Sequence, residues 1–274
     1  PLTPRQMQLK MGLGINLGNT LDAPAEGSWA PKAQASFFAE YKAKGFTNVR
    51  IPIQWGHHLA AAAPYGVDPV FMDRVAEVVG WCLAHDLVCT INTHHDEWLE
   101  DAFASGLPRF ASLWKQIAVR FANASENLLF EVYNEPHAAQ FTADNLNAMN
   151  ARVLPIIRAH NPKRIVTFGG LKYMNPSWIV QHPDALTFPA NDTQLMLEFH
   201  NYDPFDYAGG KAPTDHSWGS DSDYAKLRQW MDQIGNWSQS HNVPVFYGEF
   251  GCTTAQNKAS GRYTWYKAHA EEIK

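Results

Sequence analysis

The chain of 274 residues lacks any run of eighteen or more apolar residues, so no segment reads as a membrane-spanning helix. It also lacks a basic cluster. Its 22 Lys and Arg stand against 27 Asp and Glu, a net charge of −5, which argues against a nucleic-acid partner, whose phosphates demand grouped cations. Cysteine is scarce. Cys82, Cys89 and Cys252 are an odd, sparse set, no basis for a disulfide framework, and none stands at a zinc-like spacing from histidine; they read as small buried hydrophobes. No low-complexity stretch or break in composition marks a linker, so one domain over residues 1–274 is the expectation. The chain begins PLTPRQMQLK without an initiator Met, as a chain does after loss of a leader or after trimming, and secretion is the corresponding expectation.

Aromatic residues, by contrast, are plentiful: 13% of the chain, ten of them Trp. Such side chains belong in a large core or along a binding groove, and packing accounts for most of them. Seven apolar, β-branched or aromatic runs read as strands: 12–19 (GLGINLGN), 48–55 (NVRIPIQW), 87–95 (LVCTINTHH), 128–136 (LLFEVYNEP), 164–170 (RIVTFGG), 194–202 (QLMLEFHNY) and 243–251 (VPVFYGEFG). Amphipathic helices lie between them. Phe71, Val75, Val78, Val79 and Cys82 form one stripe, Phe110, Leu113, Trp114, Ile117 and Phe121 a second, and Leu227, Trp230, Met231, Ile234 and Trp237 a third. In YKAKGF, Gly45 takes a C-capping position that closes the first helix of the chain, ahead of these three. The three glycines of GLGINLGN do not have the GxGxxG spacing of a dinucleotide-binding turn, which argues against an open doubly wound sheet. Near-continuous apolar strands alternating with helices imply parallel strands covered by helices. Strand starts recur roughly every 30 to 50 residues, the rhythm of a (β/α)₈ TIM barrel. Only seven strands are evident, and the expectation is a barrel whose C-terminal strand and helix lie beyond this sequence, or are supplied by another chain; otherwise the protein is read as a monomer.

Several runs end on polar residues. In a barrel these ends build the active site. They offer Arg50, then His94 and His95, then Asn134 and Glu135, then His200 and Tyr202, then Glu249. Each alone has a structural explanation: an ion pair, a hydrogen-bonded core histidine, a helix N-cap. Their coincidence at the same ends of five strands is harder to explain that way. Two carboxylates on the fourth and seventh strands face each other across an eight-stranded ring, which is what glycoside hydrolysis needs. A retaining enzyme sets them about 5–5.5 Å apart, one attacking the sugar and the other protonating the leaving oxygen. The nucleophile must stay ionised, and Arg50 and Tyr202 are the donors at hand. A metal-dependent hydrolase is the rival reading, with His94, His95, His200 and Glu198 as ligands. Adjacent His94 and His95 point to opposite faces of a regular strand, and no metal or other cofactor is expected.

In order along the chain, GINLGNTLDAPAEGSW, GFTNVRIPIQW, INTHHD, FEVYNEPH, EFHNYDPFDY and YGEFG resemble glycoside hydrolase family 5 of clan A, closest to its endo-β-1,4-glucanase branch. The resemblance implies that Glu135 is the acid/base and Glu249 the nucleophile, with Arg50 supporting the nucleophile. It implies that His94 and Asn134 line the sugar site at the point of cleavage, with Tyr202 near the nucleophile and His200 near the acid/base. His95 and Asn19 are implied as further sugar contacts, and Trp29 as a stacking platform, with plain packing as its rival. The implied substrate is a β-1,4-linked polysaccharide, cellulose or a related glucan, with mannan as the alternative. Family members floor the cleavage site with a Trp at the end of strand eight, which this sequence does not contain. A non-catalytic carbohydrate binder is therefore the alternative from another class.

Overall fold

The computed structural model describes residues 1–210, 218–254 and 261–272. The chain runs α1 (Pro4–Met11), β1 (Gly14–Asn16), α2 (Ala35–Ala43), β2 (Asn48–Ile51), α3 (Pro69–Ala84), β3 (Val88–Asn92), α4 (Trp98–Asp101), α5 (Phe103–Arg120), β4 (Leu128–Glu131) and α6 (Ala143–His160). It continues with β5 (Val166–Gly169), α7 (Pro176–Gln181), β6 (Leu195–His200), α8 (Phe205–Ala208), α9 (Asp221–His241), β7 (Val245–Glu249) and α10 (Arg262–Glu272). The seven strands pair in sequence order, all parallel, in one sheet. This is a (β/α) barrel wall, and all seven sequence runs supply a strand. Among the described residues β1 and β7 form no ladder, although Asn16 Nδ2 donates to the Gly248 carbonyl at 3.0 Å across the seam between them.

The helices form where the periodicity places them. Asp68 caps α3 by accepting from Val70 N–H, and a proline opens its first turn. The stripe from Phe71 to Cys82 is buried against the sheet, each large apolar side chain contributing roughly 1.5–3 kcal/mol. Of the third stripe, Leu227, Ile234 and Trp237 are buried, while Trp230 and Met231 are half-buried. After α2, Gly45 adopts φ +88°, the left-handed conformation that closes a helix. The segment 206–223, whose composition alone suggests one long loop after β6, contributes to α8 at its start and to α9 at its end; residues 211–217 lie outside the described residues.

Inside the barrel the side chains alternate along each strand and stack in layers. The lower layer is apolar: Val88, Leu129, Ile165, Met196 and Phe246, stoppered from below by Met7 and Met11 of α1. One residue pair higher on the strands the interior turns polar and stays buried: Arg50, Thr90, Asn92, Glu131, Thr167 and Glu198. The outward set, including Val49, Ile51, Cys89, Ile91, Phe130, Val166, Phe168 and Leu197, joins the helices in the main core. All three cysteines are buried free thiols.

Candidate active site

The strands are shorter than the runs that predict them, and the reason bears on the site. β3 stops at Asn92 and β4 at Glu131, so His94, His95, Asn134 and Glu135 lie beyond the ladders, where the backbone is free to turn. His95 takes φ +54° and Glu135 φ +48°, left-handed conformations unusual for side chains with a Cβ. This overturns the strand-parity argument about the two histidines. His94 and His95 do not diverge; their rings meet edge to face, centroids 4.5 Å apart. Donor atoms of Asp22, His94 and His95 lie within 4.8 Å of one another.

Arg50, projecting inward from β2, organises the centre. It is almost fully buried, and every N–H of its guanidinium is used. Nε donates to Glu131 Oε2 at 2.6 Å and lies 3.1 Å from Glu198 Oε1. Nη2 donates to Glu131 Oε1 and Asn134 Oδ1, both at 2.7 Å. Nη1 donates to Asn16 Oδ1 at 3.0 Å and to Glu249 Oε1 at 2.5 Å. The rigid planar fork of arginine suits this many oxygens, and lysine would reach fewer. The other oxygen of Glu249 accepts from the Tyr202 hydroxyl at 2.7 Å. Burial alone pushes the Glu249 carboxyl up, but the charges of His200 and Arg50 outweigh it and hold the group well below the usual carboxylate range.

His200, at the end of β6, bridges the two carboxylates. Its Nδ1 is 2.7 Å from Glu135 Oε1 and 3.9 Å from Glu249 Oε2. Burial disfavours the imidazolium, yet Glu249, Glu135 and Glu198 together raise it to about 10, so His200 is protonated at neutral pH. His94 goes the other way. Burial and the nearby Arg50 hold it well below the ordinary histidine value, so it stands neutral, with Nδ1 at 3.1 Å from Asn92 Nδ2. Oxygens of Glu135 and Glu249 lie within 4.8 Å of each other, near the about 5–5.5 Å spacing of retaining glycosidases and short of the roughly 6.5–9.5 Å of inverting ones.

Seven of the ten residues singled out in the sequence thus form one connected network: Arg50, His94, Asn134, Glu135, His200, Tyr202 and Glu249. His95 and Asn19 line the adjoining cavity of about 1150 Å³, which runs along the seam between β1 and β7. Trp29 is 52% exposed and meets the edge of His95 with centroids 5.8 Å apart, so simple burial does not account for it. The sequence reading missed Asn16 and Glu131, and considered Glu198 only as a metal ligand. A charged residue inside a buried apolar run, as in LLFE or LMLE, is the signal that finds the two acids. It also missed a turn after β5. Lys172, Tyr173 and Met174 take φ +57°, +60° and +56° in succession. The turn sets Met174 Sδ 3.2 Å from the Glu135 N–H, and the Met174 carbonyl accepts from His200 N–H at 2.9 Å.

Residues 15–273 match the family model for Cellulase (glycosyl hydrolase family 5). Endoglucanase H of Acetivibrio thermocellus is 41% identical over 263 residues, 96% of this chain and 28% of that protein. Cellulase/esterase CelE of the same organism is 33% identical, covering 94% of this chain and 33% of its own length. The chain therefore spans about a third or less of these two curated relatives. Among solved structures, Thermotoga maritima Cel5A with mannotriose aligns at TM-score 0.92 and 32% identity, over 98% of this chain and 88% of that one. The same enzyme with cellobiose aligns at TM-score 0.91. A single inward-facing arginine, two opposed carboxylates and this sequence match agree: the chain belongs to the cellulase family, glycosyl hydrolase family 5.

Proposed function

We propose that residues 1–274 act as a single catalytic domain, a retaining endo-β-1,4-glucanase that cuts internal bonds of cellulose or a related glucan. One observation carries this reading: Glu135 and Glu249 bring oxygens within 4.8 Å of each other while sitting in different surroundings. Glu249, gripped by Arg50 and Tyr202, is the ionised nucleophile. Its free electron pair attacks the anomeric carbon as Glu135 gives its proton to the departing glycosidic oxygen. A covalent glycosyl–Glu249 ester results. Glu135, now a carboxylate, then takes a proton from water, whose oxygen displaces Glu249. Atoms and charge balance through these two acids, with no cofactor in the cycle.

Asn134 and His94 border the reacting sugar, and His95, Asn19 and Trp29 extend the groove. A neutral His94 accepts from Asn92 Nδ2 through Nδ1, which an imidazolium cannot, and keeps Nε2–H to donate to a sugar hydroxyl. Because the substrate is a polymer too large to enter a cell, the enzyme acts outside it, as a monomer. A second reading is mannan cleavage, favoured because Thermotoga maritima Cel5A has been solved with both mannotriose and cellobiose. The deciding experiment is reducing-sugar release from carboxymethylcellulose, barley β-glucan and galactomannan, compared side by side. Release from the two glucans is expected. Release mainly from galactomannan would keep the chemistry and change the substrate, and binding without release would make the chain a carbohydrate binder.

A further inference from the structure

The mechanism above leaves one buried acid unused. Glu198 projects inward from β6 with no exposed surface, beneath both reacting carboxylates. Its Oε1 lies 3.1 Å from Arg50 Nε and 3.5 Å from His200 Nε2. Arg50 in turn holds Glu249, and His200 holds Glu135. Its Oε2 accepts from the Thr167 hydroxyl at 2.7 Å, which fixes the carboxylate plane. The neighbouring strand makes room for it. A Cβ on Gly248 would stand 2.0 Å from Glu198 Oε1, so the residue just before Glu249 must be glycine while Glu198 is where it is.

Neutralising Arg50 does not require Glu198. Glu131 already meets Arg50 through two parallel hydrogen bonds, and Glu249 supplies a second carboxylate. A third buried carboxylate on one guanidinium is unfavourable unless another cation shares it. His200 is that cation. Its ring is faced by Glu135 from the loop after β4, Glu131 on β4, Glu198 on β6, Glu249 on β7, Arg50 on β2 and His94 after β3. Among the described residues, Glu198 is the carboxylate within hydrogen-bond distance of Nε2, on the far side of the ring from Glu135.

We propose that Glu198 is a positioning residue for both reacting carboxylates at once, acting on Glu249 through Arg50 and on Glu135 through His200. By accepting from Nε2, Glu198 keeps the second proton on the imidazole ring. Nδ1–H is then committed to Glu135 Oε1, which leaves Oε2 to carry the proton that the reaction uses. The excess negative charge falls away from the nucleophile. Burial and Glu198 push the Glu131 carboxyl up to about 7 against the pull of Arg50, while Glu249 stays ionised.

This inference rests on the reading of Glu135 and Glu249 given above, and its test separates the two. In Glu198→Gln the shape is kept and the charge is lost. The His200 imidazole signal, assigned by its disappearance in His200→Asn, should titrate about one pH unit lower or more in ¹⁵N-edited spectra. Activity on barley β-glucan should fall little at pH 5, where His200 is protonated regardless, and by about twofold or more at pH 9, mainly in kcat rather than KM. Thr167→Val, which frees Oε2 without touching either cation, should shift both readouts the same way by less, and it serves if Glu198→Gln fails to fold. A loss of activity equal at both pH values, or an unmoved His200 titration, overturns the proposal and leaves Glu198 as packing. If the wild-type chain cleaves no β-1,4-glycan, the functional reading fails instead, and the His200 titration still decides what Glu198 does.

Discussion

The two sides of the barrel differ in how they hold their share of the site. From β2 to β6 the wall is continuous. The strands are buried throughout, each pairs with its neighbours, and the acid/base side of the site rests on it. At the seam, β1 is half-buried along its length and β7 alternates between half-buried and buried, with the large cavity beside them. Glu249 is carried by this more open side. It is held in place by groups reaching over from the closed side, Arg50 from β2 and Tyr202 after β6. The lesson is that a reacting group need not sit on the most rigid element if charged hydrogen bonds tie it to one.

The largest effect expected is from removing either reacting acid. Glu249→Gln and Glu135→Gln should each lower kcat on carboxymethylcellulose by about 10³-fold or more in protein that still folds, as its circular dichroism shows, with Glu249→Gln the less stable of the two because Arg50 and His200 lose their partner. Retained turnover in either variant would break the assignment of the two sides to two roles. A smaller effect tests the tie across the seam. Arg50→Lys keeps the charge but loses the fork, so kcat should fall by about 10²-fold. Asn16→Ala removes both a partner of Arg50 and the link to Gly248, and should cost less, about three- to tenfold. If Asn16→Ala proves as damaging as Arg50→Lys, the seam itself, and not the reach from β2, holds the nucleophile.

The smallest effect is on stability against pH. His200 is raised in the fold to about 10 from an ordinary value near 6.5, so its stabilising contribution is complete below about 6.5 and is lost as pH climbs towards 10. Glu131, raised to about 7 by its burial and by Glu198, makes ionisation harder in the fold than in the unfolded chain, so stability also declines from about pH 4.3 towards 7. Melting temperatures of the wild type should therefore fall across both windows. Glu131→Gln should flatten the lower one and His200→Asn the upper one; parallel curves for all three proteins would contradict the charge assignments.

How much of this was legible beforehand follows from what periodicity and spacing record. Seven strands, their order, the helices between them and the polar residues clustered at strand ends are local features. A run such as LLFEVYNEPH carries its strand, its buried acid and its turn in ten consecutive letters. The places where these runs stop pairing are not local. His94 and His95 share a side because the ladder ends at Asn92 and the chain turns left-handed three residues later, and alternation read from letters alone gives the opposite result. The left-handed residues Lys172 to Met174 contain no glycine to announce them. Nor does spacing in the sequence reveal that Arg50, Glu131, Glu198 and Glu249, from four separate strands, meet around one guanidinium. Which segments become strands and helices, and which acids are available, follows from burial patterns that repeat along the chain. Which acid is ionised and which histidine is charged is set by the packed fold, because those states depend on distances between charges in a buried interior where a few ångströms change the balance.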